Sequence, residues 1–312
     1  MGKLSVLAVV FCVLGLAGVA LANPGTSSAL NGVEDVFTGY LPPPGFHLLN
    51  YVLYYDGREI RDDDGHRIQG ANATLVADAV RVIYAARDVR ILGGRPAWHV
   101  VIPFVHKDLE LPLPGGYAKS FSGLGDIYIS PLILGWDFEE TNFHVAAGLD
   151  VIMPTGEYDK DYLIPTPAGW SMNPNIGSHH WTFEPAFAAT KIFGESGIIL
   201  DAKLMYDIHT EETDTDIKTG DQFHMDYAAT MQVDPALPLR VGVNGYYLTS
   251  LEKDKFKNNR IDGSKEQVFA IGPIVRYDFA PVTSLTLKVL FEQHVHNRPD
   301  GDAVWLKFVH SF

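Results

Sequence analysis

Cysteine is all but missing: the 312 residues hold one, Cys12, and it lies inside an N-terminal apolar run. Disulfides and paired-cysteine redox centres are therefore excluded as sources of stability or chemistry. Positive charge is also scarce, with 24 Lys and Arg against 38 Asp and Glu and a net charge of −14, which excludes nucleic acid as an expected partner. Beyond residue 22 no stretch approaches the roughly 18 apolar residues of a spanning helix, so any crossing of a membrane falls to strands. Gly-x-Ser-x-Gly elbows, Gly-rich phosphate loops and heptads are absent too, and no cofactor is implied.

What is present begins with an export signal. Lys3 precedes an apolar run from Leu4 to Leu21 that closes on Ala20-Leu21-Ala22, the small-x-small pattern cut by a signal peptidase. Residues 1–22 are read as a signal peptide cleaved after Ala22, with an uncleaved membrane anchor as the alternative. Residues 23–45 have weak periodicity and end in Pro42-Pro43-Pro44-Gly45, a sequence unfit for helix or central strand. This segment is expected to enter the periplasmic mouth or lumen as a partial plug.

Residues 46–312 follow one rhythm, in which apolar and polar side chains alternate over 10 to 14 positions between turn-rich connections. Leu285, Leu287, Val289 and Phe291 oppose Thr286, Lys288 and Glu292; Leu200, Leu204, Tyr206 and Ile208 oppose Asp201, Lys203, Asp207 and His209. A period of two with one apolar face is a strand with one side in a dry medium. Strands are expected at 46–56, 73–87, 97–107, 125–136, 142–153, 179–192, 197–209, 221–233, 238–251, 265–278, 283–295 and 303–312. Compact connections (Ile91 to Pro96, Asp137 to Thr141, Phe193 to Ser196, Asp234 to Leu237, Ala280 to Val282) alternate with longer polar ones. The longer set is Gly57 to Asn72, Asp108 to Leu124, Pro154 to Ser178, Thr210 to Gly220, Glu252 to Ser264 and His296 to Asp302.

Short turns on one side and long loops on the other describe an all-β, antiparallel transmembrane barrel of about twelve strands in the bacterial outer membrane. Hydrocarbon requires closure, because each unpaired backbone group there costs several kcal/mol. A soluble β-sandwich is the alternative. Against it stand the terminal Phe312, read as the signal for the barrel assembly machinery, and many aromatics near strand ends. Tyr51, Tyr54, Tyr55, Tyr84, Trp98, Trp136, Trp181, Tyr206, Tyr246, Tyr247, Tyr277 and Trp305 are candidates for girdles at the lipid interfaces, or for lumen and core positions.

Several blocks resemble the outer-membrane proteins named for the meta-pathway of phenol degradation. They are Pro42-Pro43-Pro44-Gly45 with Asn50-Tyr51 and Tyr54-Tyr55, then Gly123-Leu124-Gly125-Asp126 with Pro131-Leu132 and Gly135-Trp136. Pro154-Thr155-Gly156-Glu157-Tyr158, Trp181 to Pro185, Gly245-Tyr246-Tyr247 and Ile271-Gly272-Pro273 extend the likeness over nearly all of the chain after residue 22. The chain departs from the pattern before Gly220, where Asp214 to Thr219 has no aromatic residue. The resemblance implies passive uptake of small hydrophobic or aromatic solutes, with outer-membrane lipid as the surroundings.

The parity of the strands collects Asp126, Asp150, Glu184, Asp201, Lys203, Asp226, Arg240, Arg276, Lys288, Glu292 and Lys307 on the inward faces. There they either line a pore or pair across it and seal it. Pro103, Pro131, Pro185 and Pro273 fall inside strands, where each removes a ladder donor and is expected to bulge or kink the wall. One such break is a candidate lateral opening for an apolar solute. His294 with His296, and His179-His180, are weighed as metal ligands against solvated or structural histidines. Two further alternatives to a channel are a barrel hydrolase, for example through Ser178, His180 and Glu184, and a non-conducting adhesive barrel.

Overall fold

The computed structural model describes residues 31–194 and 196–312, so the expected signal peptide and residues 23–30 lie outside the described residues. Twelve long strands carry the alternation. They are β1 (Gly45–Arg61), β2 (Asn72–Ala85), β3 (Arg95–Leu111), β4 (Ile127–Phe138), β5 (Phe143–Met153) and β6 (Thr182–Phe193). β7 (Ile198–His209), β8 (Gln222–Gln232), β9 (Leu239–Ser250), β10 (Gln267–Ala280), β11 (Thr283–His296) and β12 (Pro299–Ser311) complete the set. Each is antiparallel to its sequence neighbour, and β1 pairs with both β2 and β12, so the sheet closes into a barrel. Tyr51, for instance, lies between Ala79 of β2 and Lys307 of β12.

The period of two decides which face meets lipid. On β7, Leu200, Leu204 and Ile208 are exposed while Asp201, Met205, Asp207 and His209 are buried; on β12, Val304, Leu306 and Phe308 are exposed while Ala303, Trp305 and Lys307 are buried. A continuous exterior of Leu, Val and Phe is a bilayer surface, since in water a patch of this extent would drive association. No described helix is long and apolar enough to cross a membrane; the strands cross it. Phe46, Tyr84 and Trp98 form an outward aromatic chain, with ring centroids 4.8 and 5.9 Å apart. Four of the girdle candidates instead point inward: Tyr51, Tyr246 and Trp305 are buried, and Tyr55 donates to Glu292 Oε2 at 2.7 Å. Parity, not proximity to a strand end, sorts the aromatics.

Four boundaries differ from expectation for identifiable reasons. β1 and β3 run on to Arg61 and Leu111, rising as a hairpin sheet above the barrel, where Ile60, Ile68, Ala73, Leu109, Leu111 and Phe121 form a second apolar cluster. The connection expected from Asp108 to Leu124 contains a strand, Tyr117–Leu124, paired with the upper half of β3 from Phe104–Leu124 to Leu111–Tyr117. The last long connection shrinks to a turn because Pro299 opens β12, a position where its missing donor costs no ladder bond. The C-terminal Phe312 is exposed, and its amide donates to Phe46 O at 3.0 Å, so the barrel ends where it began.

Candidate functional site

Residues 31–44 run inside the barrel, and the interior charges are arranged around them. Gly32 and Glu34 amides donate to the two oxygens of Asp226, at 2.8 and 2.9 Å. Glu34 pairs with Arg81 at 2.8 Å and with Lys203 at 3.5 Å. Asp35, fully buried, takes Lys307 at 2.7 Å and Lys288 at 3.1 Å. Lower in the segment, Thr38 N donates to Asp201 and Gly39 N to Thr190 Oγ1, at 3.1 and 2.9 Å. Arg95 of β3 donates to the carbonyls of Leu41 and Pro42. Gly39 is needed for this path, because a Cβ there would lie 2.5 Å from the Thr190 amide of the wall.

Burying the carboxylates of Glu34 and Asp35 is costly unless they are paired, and the facing cations pair them, Arg81 and Lys203 for Glu34 and Lys307 and Lys288 for Asp35. The segment thus brings two anions to a wall that supplies four cations. Phe37, with φ of 66°, sits below them with Arg276 and Arg240 guanidinium carbons 5.3 and 5.9 Å from its ring centre.

All eleven charged residues selected by parity lie on the inner side of the wall, and they divide into groups. Asp226, Asp201, Lys203, Lys288 and Lys307 hold the N-terminal segment. Arg240 donates to Gly197 O at 2.8 Å and Arg276 pairs with Asp278 at 2.8 Å, at the end with compact turns. Glu292 accepts from Tyr55, Tyr246 and the Gly301 amide and faces Arg298 at 3.6 Å, towards the other end. Asp150 and Glu184 stand directly opposite each other on β5 and β6. Arg81, His99, Asp207 and His224 belong to the same buried network but were not selected. His99 Nε2 is 3.2 Å from Asp150 and its Nδ1 is 2.8 Å from Arg81. The parity signal was there for all four; they are inward by the same count.

The interior is less polar than the charge pattern suggests. Leu53, Ala77, Ala79, Leu248, Val268, Ala270, Leu290 and Trp305 form one buried apolar cluster around the segment. Small residues are used where the segment passes close to the wall. Two larger cavities lie among the described residues. One of about 360 Å³, on the side of the compact turns, is lined by Phe37, Tyr40, Leu41, His47, Ile133 and Ala146. The other, of about 370 Å³, is lined by Leu53, Tyr55, Pro103, Leu248, Met172 and Trp305 on the loop side.

The four prolines have different effects. Pro131 sits at a bulge: the register with both β3 and β5 shifts there. Pro185 and Pro273 leave the register of their strands unshifted, so no bulge forms; their rings are exposed on the outer face and the ladder loses only local pairs. Pro103 is the exception, buried and lining the loop-side cavity. Opposite it the ladder is interrupted: Tyr117–Leu124 and β4 are two pieces separated at Gly125-Asp126, where Gly125 N donating to Pro103 O at 2.8 Å still joins the wall to β3. The connection 154–178 spans the break. Glu157 N donates to Leu124 O at 2.7 Å, Gly156 N to Asp126 Oδ1 at 2.8 Å, and Ser178 N and Oγ to Asp126 Oδ2 at 2.8 and 2.6 Å.

Ser178 is therefore engaged with Asp126, and His180 Nδ1 faces the Ser178 carbonyl at 3.1 Å rather than its hydroxyl. Ser178, His180 and Glu184 do not form a nucleophile-and-base arrangement. His294 falls on a bulge with φ of 52° and His296 Nδ1 is 3.0 Å from Asp63 O, so the expected shared face is lost. His179 stacks on Tyr158 with centroids 3.9 Å apart and lies 3.4 Å from Asp214.

A closed barrel with an apolar, lipid-facing exterior and charged inward faces defines an integral protein of the bacterial outer membrane. Within that class, the chain belongs to the family described as "Putative MetA-pathway of phenol degradation", whose model matches residues 57–308. It is similar to an outer-membrane channel from Pseudomonas putida F1, with 15% identity and a TM-score of 0.75 over 90% of this chain and 100% of that one. It is also similar to the β domain of the Bordetella autotransporter BrkA, with 8% identity and a TM-score of 0.51 over 86% of this chain and 100% of that one. At these identities the likeness is one of fold. No curated protein matches the chain by sequence.

Proposed function

We propose that the protein is a non-enzymatic channel for passive entry of small hydrophobic or aromatic molecules, with residues 31–44 as a plug and the break beside Pro103 as the exit. The carrying observation is that the loop-side cavity reaches the break. Its lining includes Pro103, Gly125, Asp126 and Ser178 together with the apolar Leu53, Leu248 and Trp305. A solute held there has the plug and its ion pairs beneath it and a wall closed by a few hydrogen bonds beside it.

An apolar molecule gains nothing by entering the charged layer, where it would displace paired ions without replacing their partners. Sideways release into lipid avoids that cost. Membership in a family named for phenol degradation supports an aromatic cargo. The lumen charges then serve to seat the plug and exclude ions more than to select them.

The test is a reversible lock. Asp126→Cys with Ser178→Cys places two thiols where hydrogen-bonded side chains now meet, in a chain whose native cysteine lies at residue 12. Oxidation is expected to stop phenol entry into liposomes bearing the protein and leave ion conductance unaltered, with recovery on reduction. Unimpeded phenol entry through the oxidised protein contradicts lateral release.

A further inference from the structure

Glu184 on β6 and Asp207 on β7 face each other between the paired residues Phe183–Ile208 and Ala186–Met205. On the other side of β6, Asp150 is the direct partner of Glu184. Three carboxylates therefore stand in one row across adjacent strands, a placement that like charges disfavour. Lys203 reaches Asp150 at 3.6 Å and Glu184 at 3.8 Å, and it is also shared with Glu34. It leaves Asp207 to His224 of β8.

The geometry around His224 is unusual for an ion pair. Its Nε2 lies 3.3 and 3.4 Å from the two Asp207 oxygens and 3.4 Å from Glu184 Oε2. Charge-assisted N–H···O bonds are about 2.7–2.9 Å, so all three contacts are long, and one N–H cannot point at both acids. Asp207 Oδ2 belongs to a wholly buried side chain, is directed at this gap, and has no hydrogen-bond partner. Two of these separations, from Nε2 to Asp207 Oδ2 at 3.3 Å and to Glu184 Oε2 at 3.4 Å, match the edges of a tetrahedron of ligands. Ligand atoms about 2.0–2.1 Å from a four-coordinate ion stand about 3.3–3.4 Å apart.

We propose that Glu184, Asp207 and His224 form a binding site for a divalent transition-metal ion of the zinc or cobalt type, embedded in the barrel wall. One ligand atom from each lies within 4.8 Å of the others, and all three residues are buried. An imidazole with two carboxylates suits zinc, cobalt, nickel or manganese better than the all-oxygen preferences of calcium and magnesium. Glu184 and His224 also border a small cavity of about 60 Å³, which gives a water molecule access as fourth ligand. The ion balances the carboxylate row and leaves Lys203 to Asp150 and Glu34, so metal binding and plug seating support each other. The site does not depend on what the barrel transports.

Chelator-stripped, refolded full-length protein titrated with Co²⁺ alone tests this. One equivalent is expected to bind, with the intense visible absorption of four-coordinate cobalt. Loss of a partner merely behind a metal ligand costs about 10–100-fold in affinity, so Asp207→Asn and His224→Gln should each weaken binding at least that much. Zinc-edge X-ray absorption on the unaltered protein reads the ligands without any substitution: one imidazole among oxygens is expected. Absence of a saturable single equivalent, two or more imidazoles at the metal, or binding indifferent to both variants overturns the proposal.

Discussion

On the outward side of β7, Leu200, Leu204 and Ile208 are exposed; on its inward side, Asp201 and Lys203 hold Thr38 and Glu34 of the N-terminal segment. The first surface needs only residues of the right kind at every second position. The second needs particular partners brought from far along the chain, and a buried charge that loses its partner is penalised more than an apolar side chain that changes shape. The two faces of one strand therefore fail in different ways, and substitutions can separate them.

The largest effect is expected from Asp35→Ala. It leaves Lys288 and Lys307 buried without their shared anion, at a cost of about 3–5 kcal/mol. Thermal unfolding in detergent should fall accordingly, with a rise in ion conductance; an unchanged melting profile breaks the contrast drawn here. Next comes Leu204→Arg on the outer face, expected to cost about 2–4 kcal/mol at mid-depth in a bilayer. Folding into liposomes measured by urea titration checks it, and tolerance of the charge would mean that this face does not meet hydrocarbon.

Gly39→Val tests the inner face more gently. The added side chain meets the backbone at Thr190, so the segment should shift, at about 1–3 kcal/mol, and conductance should increase while the barrel persists. A channel as quiet as the parent would show that the segment has room to spare.

A smaller effect involves the loops. Glu212 is buried beside Tyr158, which stacks on His179, and burial raises its carboxyl from 4.5 to about 7. An acid raised in this way supports the docked loops fully below about pH 4.5 and loses that support as pH rises through about 7. Hydrogen exchange in 154–178 should therefore quicken between pH 5 and 8, and Glu212→Gln should flatten the change. Equal pH dependence in the variant would assign the effect elsewhere. The smallest expected effect is Leu204→Ile, within about 0.5 kcal/mol of the parent in the same urea titration.

The same contrast explains what could be read before the structure. Alternation in β7, β11 and β12 reports solvent directly, so strand positions, closure and the inward set from Asp126 to Lys307 follow from counting by two. Counting failed where a bulge resets the phase without a proline to announce it, as at His294, whereas the bulge at Pro131 follows from the residue itself. It also failed where a loop carries its own alternation, as Leu109, Leu111, Tyr117 and Phe121 do. Partner choice was not legible, because nothing near Asp35 in sequence points to Lys288 and Lys307. Gly125-Asp126 belongs to a block that resembles the family, but its role lies in Asp126 accepting from Gly156 and Ser178, partners distant in sequence.

On the proposed function, residues 31–44 plug the lumen of a lipid-embedded barrel. Planar-bilayer recordings of the processed protein beside a form lacking residues 31–44 test it most directly. The unaltered protein should conduct ions weakly and the shortened one several times more, with the same barrel content by circular dichroism. Equal conductance from the two correctly folded forms would contradict the account.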